Sequence, residues 1–203
     1  MDQLRLFVAV RPSGEACREI ASVAGRIAQR IAGSPDGRTG GPVRWLRTEN
    51  YHLTLHFLGD TPPDLVPSVQ EAMSRLAVQV PEKPELRLAS VDAFPSTGRP
   101  RTLILRIDEA GQTLTNIAEQ LRTALIGPKD HGKPFQAHVT LGYVRRNAPP
   151  DERRRVRAAL ESVPVHPVSF RAGELILVRS DLSPGGSRYA DLFSVELSPT
   201  PPA

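Results

Sequence analysis

The sequence predicts a mixed fold of strands and helices in two like lobes that face each other across a groove, with the helices on the outer sides. Three observations predict it. Stretches of period-two alternation interleave with stretches whose apolar residues step by three and four. The order of these stretches recurs along the chain, and each recurrence carries a histidine followed two residues later by threonine.

The elements follow in order. "LRLFVAV" at 4–10 alternates as a strand, and Ala16, Ile20, Val23, Ile27 and Ile31 then line one face of a helix. A glycine-rich surface loop, "GSPDGRTGGP" at 33–42, leads through "VRW" into the strand that contains "YHLTLHFLGD" at 51–60. Val66, Val69, Met73, Leu76 and Val80 mark a second helix, strands are expected near Glu85 to Phe94, and "FPSTGRPR" reads as a loop. The order then repeats. "TLILRI" at 102–107 is a strand, Leu114, Ile117, Leu121 and Leu125 give a helix, and "AHVTLGYV" at 137–144 is the second histidine strand, followed by a short basic helix.

From Phe7 to His52 is 45 residues and from Leu105 to His138 is 33, a difference of 12 that the ten-residue glycine-rich loop nearly covers. Such a repeat reads as two similar lobes rather than two independent domains. "ELILVRS" through "SPGG" to "YADLFSVEL" reads as a closing β-hairpin. The expectation is one bilobal domain over residues 1–198 and a disordered tail at 199–203, within the proline-rich ending "SPTPPA".

With 203 residues and 39% apolar content the chain can bury a sizeable core. It has no run of about 18 apolar residues, and "MDQLRLFVAV" carries Asp2 and Arg5 and alternates, unlike a leader. A soluble, cytoplasmic protein without a membrane partner is therefore expected. The single Cys17 allows no internal disulfide and no cysteine cluster for zinc, and reads as core. Lys and Arg exceed Asp and Glu by 26 to 22, a net charge of +4 that favours anionic partners such as phosphates or RNA. "ERRRVR" at 152–157 reads as the solvated face of a helix, with a nucleic-acid contact as the alternative.

Residues two apart on a strand share a face, so His52 and Thr54 point one way while Leu53, Leu55 and Phe57 point the other. His138 and Thr140 stand likewise against Val139 and Leu141, and the same parity puts Tyr143 on the buried face, a core position rather than a base-stacking one. Two of five histidines matching His-x-Thr by chance, with 11 threonines in the chain, has a probability of roughly a few per cent. Two imidazoles that titrate near neutrality suit paired acid/base catalysis, one taking a proton from an attacking oxygen and the other giving one to a leaving oxygen. A phosphodiester needs both. Threonine hydroxyls about 7 Å along each strand can hydrogen-bond the non-bridging oxygens. Neither a nucleophilic serine elbow nor a glycine-rich phosphate loop is visible.

His52 and His56 would share a face but stand about 13 Å apart, too far for both to hold one zinc. No acidic cluster accompanies either motif, so neither a metal nor another cofactor is expected. His56 reads as a supporting residue, and His131 and His166 read as surface.

On these residues the chain resembles the two-histidine phosphoesterases, specifically the bacterial RNA 2',3'-cyclic phosphodiesterases also called 2'-5' RNA ligases (LigT-like). The resemblance runs nearly to residue 198, through "RLFVAV", "RWLRTENYHLTLHFLG", "PRTLIL", "KPFQAHVTLGYV" and "LVRSDLSPGGSRY". It implies an α+β, bilobal, pseudo-twofold duplicated fold, with antiparallel sheets lining a central groove and helices outside. It also implies metal-independent hydrolysis of 2',3'-cyclic phosphate ends to 2'-phosphates, and ligation by the reverse reaction. His138 falls on the base that activates water, His52 on the acid that protonates the departing 3'-oxygen, and Thr54 and Thr140 on the groups that hold the phosphoryl oxygens.

Members commonly carry Arg-Pro before the second histidine and Ala-Arg after its motif, where this chain has Gln136-Ala137 and Gly142-Tyr143. Lys133, Arg145, Arg99 and Arg101 are the candidates to replace those arginines in substrate binding. The partners implied are RNA ends or nucleoside 2',3'-cyclic phosphates, with the protein acting as a monomer. Two alternatives remain: a non-catalytic nucleotide or RNA-end binding module of the same fold, and an enzyme that opens a different cyclic phosphate.

Overall fold

A computed structural model describes residues 3–32, 41–80, 82–125, 134–183 and 186–197. Residues 33–40 of the glycine-rich loop, His131, Lys133 and the tail lie outside them. The elements are β1 (Leu4–Val10), α1 (Gly14–Ala32), β2 (Val43–Trp45), β3 (Leu53–Thr61), α2 (Val66–Ala77), β4 (Glu85–Phe94) and β5 (Thr102–Glu109). They continue with α3 (Thr113–Ala124), β6 (His138–Val144), α4 (Pro150–Ser162), β7 (Ser169–Arg171), β8 (Glu174–Ser183) and β9 (Gly186–Glu196).

Local chemistry sets the helix starts. Ser13 Oγ accepts the Ala16 N–H at 3.2 Å to begin α1. Gly111 and Gln112, at φ 93° and 59°, turn the chain into α3. The Glu109 carboxylate there accepts the N–H groups of Leu114 and Thr115, an anion placed at the positive end of the helix. Cys17 is half-buried and packs against the main core.

Two antiparallel sheets form, in the orders β3-β1-β8-β9 and β2-β6-β5-β4-β7. Strands β6-β5-β4-β7 repeat β3-β1-β8-β9 position for position, so the duplication read from the sequence is a duplication of sheets. The second sheet adds β2 outside β6. The helices cross between halves: α1 contacts α4, α2 contacts α3, and α3 lies against β3 while α4 lies against β4. One apolar cluster joins Leu6, Val8 and Val10 of β1, Leu103 and Leu105 of β5, and the inner faces of all four helices.

The register refines the sequence alignment of the halves. Ala9 pairs with Thr54 and Ile104 with Thr140, so Phe7 corresponds to Thr102, which pairs with Tyr143 as Phe7 pairs with Phe57. The equivalence with Leu105 drawn from the sequence was thus three residues off. The corresponding spacings are 45 and 36 residues, a difference of 9.

Both motif strands carry a β-bulge at the same motif position. On β3, Thr54 faces Ala9 and His56 faces Val8, leaving Leu55 without a partner; on β6, Thr140 faces Ile104 and Gly142 faces Leu103, leaving Leu141 without one. A bulge adds a residue to one strand and reverses the parity beyond it. This overturns three face assignments. His56 is paired with the core residue Val8 rather than sharing the face of His52. Phe57 joins Phe7, Ala9, Ile176 and Val178 in a small cluster on the His52 side. Tyr143 comes out of the core onto the face of His138 and Thr140, 36% exposed.

The basic helix also differs in one residue. Val156 is buried, and Arg154, Arg155 and Arg157 are exposed as expected. Arg153 instead turns back, donating to the carbonyls of Arg145, Arg146 and Ala148. Among the described residues no helix is long and apolar enough to cross a membrane.

Candidate active site

The two motif histidines are held alike. A 3-10 turn at Thr48–Asn50 delivers the chain to β3, and His52 Nδ1 lies 2.8 Å from the Asn50 carbonyl. At the head of β6, His138 Nδ1 lies 2.6 Å from the Gln136 carbonyl. A carbonyl only accepts, so Nδ1 carries the proton in both rings, and Nε2 is the nitrogen left for a ligand. Each imidazole is therefore fixed by the backbone two residues upstream.

Aromatic rings hold both imidazoles. His52 stacks on Phe7 with centroids 4.7 Å apart at 26° and meets Tyr189 edge-on at 5.2 Å; His138 meets Phe94 edge-on at 5.0 Å. Arg11, in a two-bonded pair with Asp191 at 2.6 and 2.7 Å, stands near His52. Arg106, directly across from His138, donates through Nε to Asp92 at 2.6 Å and through Nη1 to Gln136 Oε1 at 3.4 Å.

Burial pushes His52 below its ordinary pKa; the bond to Asn50 opposes this, and the charges of Arg11 and His138 add to it. Burial lowers His138 as well, opposed by the Gln136 carbonyl and reinforced by Arg106. The charge of His138 acts on His52 because β3 and β6, from different sheets, lie against each other. Both imidazoles are thus kept neutral at pH 7, and an anion placed between them would raise both.

A groove of about 790 Å³ runs along the His138 side, with Thr54, Phe94, Arg101, Arg106, Gln136 and His138 in its walls. His52 sits beyond those walls in a narrow crevice with Phe7, Arg11, Asn50 and Tyr189. Thr140 is half-buried across from Ile104. A second cavity of about 1090 Å³ takes in Arg101 and Arg145. Arg99 is exposed and walls neither cavity; its N–H donates to the Ser96 carbonyl. His166 is exposed as expected. Among the described residues no three of His, Cys, Asp and Glu gather as metal ligands would.

Sequence reasoning missed Arg106, Phe7, Phe94 and Tyr189. For Arg106 there was a signal: it is the single charge within "TLILRI" and falls on the polar side of the alternation. The rings gave none, since a phenylalanine in a strand reads as core until its cross-strand neighbour is known.

A duplicated two-sheet fold with a His-x-Thr strand in each half is the architecture of a two-histidine phosphoesterase. The family described as LigT like Phosphoesterase matches this chain twice, over residues 19–104 and 105–189. An RNA 2',3'-cyclic phosphodiesterase of Archaeoglobus fulgidus is 32% identical over 152 residues, 74% of this chain and 81% of that protein. One of Thermus thermophilus is 35% identical over 155 residues, 72% of this chain and 71% of that protein. A crystal structure of a Thermus thermophilus protein superposes with a TM-score of 0.73 at 27% identity, covering 97% of this chain and 100% of that one. E. coli LigT complexed with 3'-AMP shares the fold, with a TM-score of 0.64 at 23% identity over 97% of this chain and 99% of that one. The chain belongs to the LigT-like phosphoesterase family.

Proposed function

We propose that the protein hydrolyses 2',3'-cyclic phosphate ends of RNA to 2'-phosphates by paired-histidine acid/base catalysis that needs no metal. His138 Nε2 takes a proton from water as the water oxygen bonds to phosphorus. His52, protonated at Nε2, gives its proton to the 3'-oxygen as the P–O3' bond breaks, leaving a 2'-phosphate and a free 3'-hydroxyl. Thr54 and Thr140 donate hydroxyl hydrogen bonds to the non-bridging oxygens. With a 5'-hydroxyl in place of water as the attacking oxygen, the same sequence breaks the P–O3' bond and leaves a 2'-5' phosphodiester, which is the ligase direction.

One observation carries this reading: two imidazoles on equivalent strands, each with Nδ1–H tied to the carbonyl two residues before it. That tether fixes Nε2 as the reactive nitrogen in both rings. Lowered proton affinity suits the base, and a bound phosphodiester anion returns to the acid the proton affinity that burial removed. The names of the relatives supply the substrate class.

The test is incubation with an oligonucleotide ending in a 2',3'-cyclic phosphate, with and without EDTA, followed by location of the product phosphate. A 2'-phosphate formed equally in both arms is expected. A 3'-phosphate product, or activity lost in EDTA and restored by a divalent metal, overturns the mechanism.

A further inference from the structure

The second cavity has no part in the reaction just described. Its walls hold Arg44, Arg101, Arg145, Arg146 and Arg153 together with Tyr143. Among the described residues nine other arginines each form an ion pair with a carboxylate. Among the described residues no carboxylate pairs with Arg44, Arg101, Arg145 or Arg146, while Arg153 is committed to backbone carbonyls. Four uncompensated cations around one concavity repel one another unless an anion lies among them.

The frame that presents them is built. Arg145 N–H donates to the Pro42 carbonyl at 2.7 Å, Val144 N–H donates to the Arg101 carbonyl at 2.9 Å, and Arg153 ties down the turn after β6. Three separate segments are thereby knitted around the bay. The Arg44 guanidinium lies 5.3 Å from the centroid of the Tyr143 ring, giving a flat surface backed by charge on which a base can stack.

The bay continues the groove. Arg101 and Thr102 wall both cavities, and Thr102 is directly across from Tyr143. The β6 bulge puts Tyr143 on the face of His138, roughly 13 Å away along the strand. A cyclic phosphate is the 3' terminus of its strand, so all the rest of the polymer lies on its 5' side.

We infer that the Arg44–Arg101–Arg145–Arg146 bay holds the sugar–phosphate backbone of single-stranded RNA just 5' of its reacting end, with an upstream base stacked on Tyr143. The inference rests on the proposed function only for which end of the RNA lies at His138. It makes the preferred substrate an oligonucleotide, because a nucleoside 2',3'-cyclic phosphate ends before reaching the bay.

The experiment compares wild type, R145A/R146A, Tyr143→Ala and R18A/R30A. The last removes the same charge from exposed positions on α1. Binding of a single-stranded RNA oligonucleotide with a 2'-phosphate 3' end is measured by fluorescence anisotropy across a salt series, and kcat/KM is measured for a cyclic-phosphate oligonucleotide and for a nucleoside 2',3'-cyclic phosphate. R145A/R146A should bind about tenfold more weakly, and its plot of log affinity against log salt should be shallower by about 1.4, two lost phosphate contacts on a single strand. Its oligonucleotide-to-nucleoside ratio of kcat/KM should fall by a similar factor.

Tyr143→Ala should weaken oligonucleotide binding with the salt slope kept, and R18A/R30A should match wild type. Wild-type affinity and slope in R145A/R146A, or an equal loss in R18A/R30A, overturns the inference. Arg101→Ala, on a separate segment, decides the matter should the double variant fail to fold. If wild type turns over neither substrate, the hydrolytic reading fails while the binding comparison still judges the bay.

Discussion

Replacing Phe7 by leucine isolates the role of the ring beneath His52. Phe7 is 4% exposed and packs against Ala9, Ile176 and Val178, so leucine keeps an apolar side chain there. It loses two ring contacts, the stack on His52 at 4.7 Å and the edge contact with Tyr189 at 5.4 Å. At about 0.5–1.5 kcal/mol each, their loss should cost ~1–3 kcal/mol of folding stability.

Burial is the largest cause of the lowered His52 pKa, so opening one ring face should raise it toward the ordinary value of about 6.5. His52 must be protonated to act, hence the alkaline limb of kcat/KM should move to higher pH. The stability effect has a definite sign. With the folded pKa below the unfolded one, the unfolded chain binds more protons, so the stability cost of this group is absent above about pH 6.5 and grows as pH falls toward the folded value. Phe7→Leu should flatten that slope. Urea unfolding at several pH values gives the stability, and NMR titration of the His52 ring C–H gives the pKa. A loss below about 0.5 kcal/mol together with an unmoved His52 titration would refute the clamp.

His52→Ala and His138→Ala should each lower kcat by on the order of 10²-fold or more with folding retained, and the double variant should lose little beyond the worse single in a cyclic-phosphate assay. Arg106→Met removes a charge that lowers His138 and frees the Asp92 carboxylate. The acid limb of the kcat/KM profile, where His138 becomes protonated, should therefore shift to higher pH. Gly142→Ala should destabilise by about 1–3 kcal/mol in thermal or urea unfolding. Its Cβ would stand 2.8 Å from the Arg44 carbonyl oxygen and 2.9 Å from Val43 Cγ1, forcing β2 away from β6.

The elements were legible because their periods were unbroken: α1, α2 and α3 bury most of the residues whose spacing predicted them, Val66 and Leu125 being half-buried and Val80 and Leu125 falling just past the helix ends, and β8 and β9 pair as the expected hairpin. The site was legible as far as the two His-x-Thr pairs, which stand before the bulges. Beyond Leu55 and Leu141 the alternation rule failed, and it failed silently, since leucine at a bulge leaves no compositional mark. Tyr143 was assigned to the core for that reason alone. Arg44 was out of reach for a different reason: its role depends on which strands are neighbours, and strand order is a long-range property; Arg106 stood out as a lone charge in its strand, but its place across from His138 depends on the same strand order. Among the candidates to replace the family arginines, Arg101 and Arg145 wall cavities and Arg99 does not, a distinction of loop geometry that residue type cannot make.

The strand order also bears on how the chain is made. β1 leaves the ribosome well before one of its two neighbours, β8, which begins at Glu174. Until then one edge of β1 offers open N–H and C=O groups beside an apolar face, the sort of edge that recruits foreign strands. β2 waits in the same way for β6. Translation therefore cannot complete the first sheet before the second half is nearly finished, and a stall between Glu109 and Ser169 would leave both sheets missing strands, a nascent chain that calls for chaperone cover.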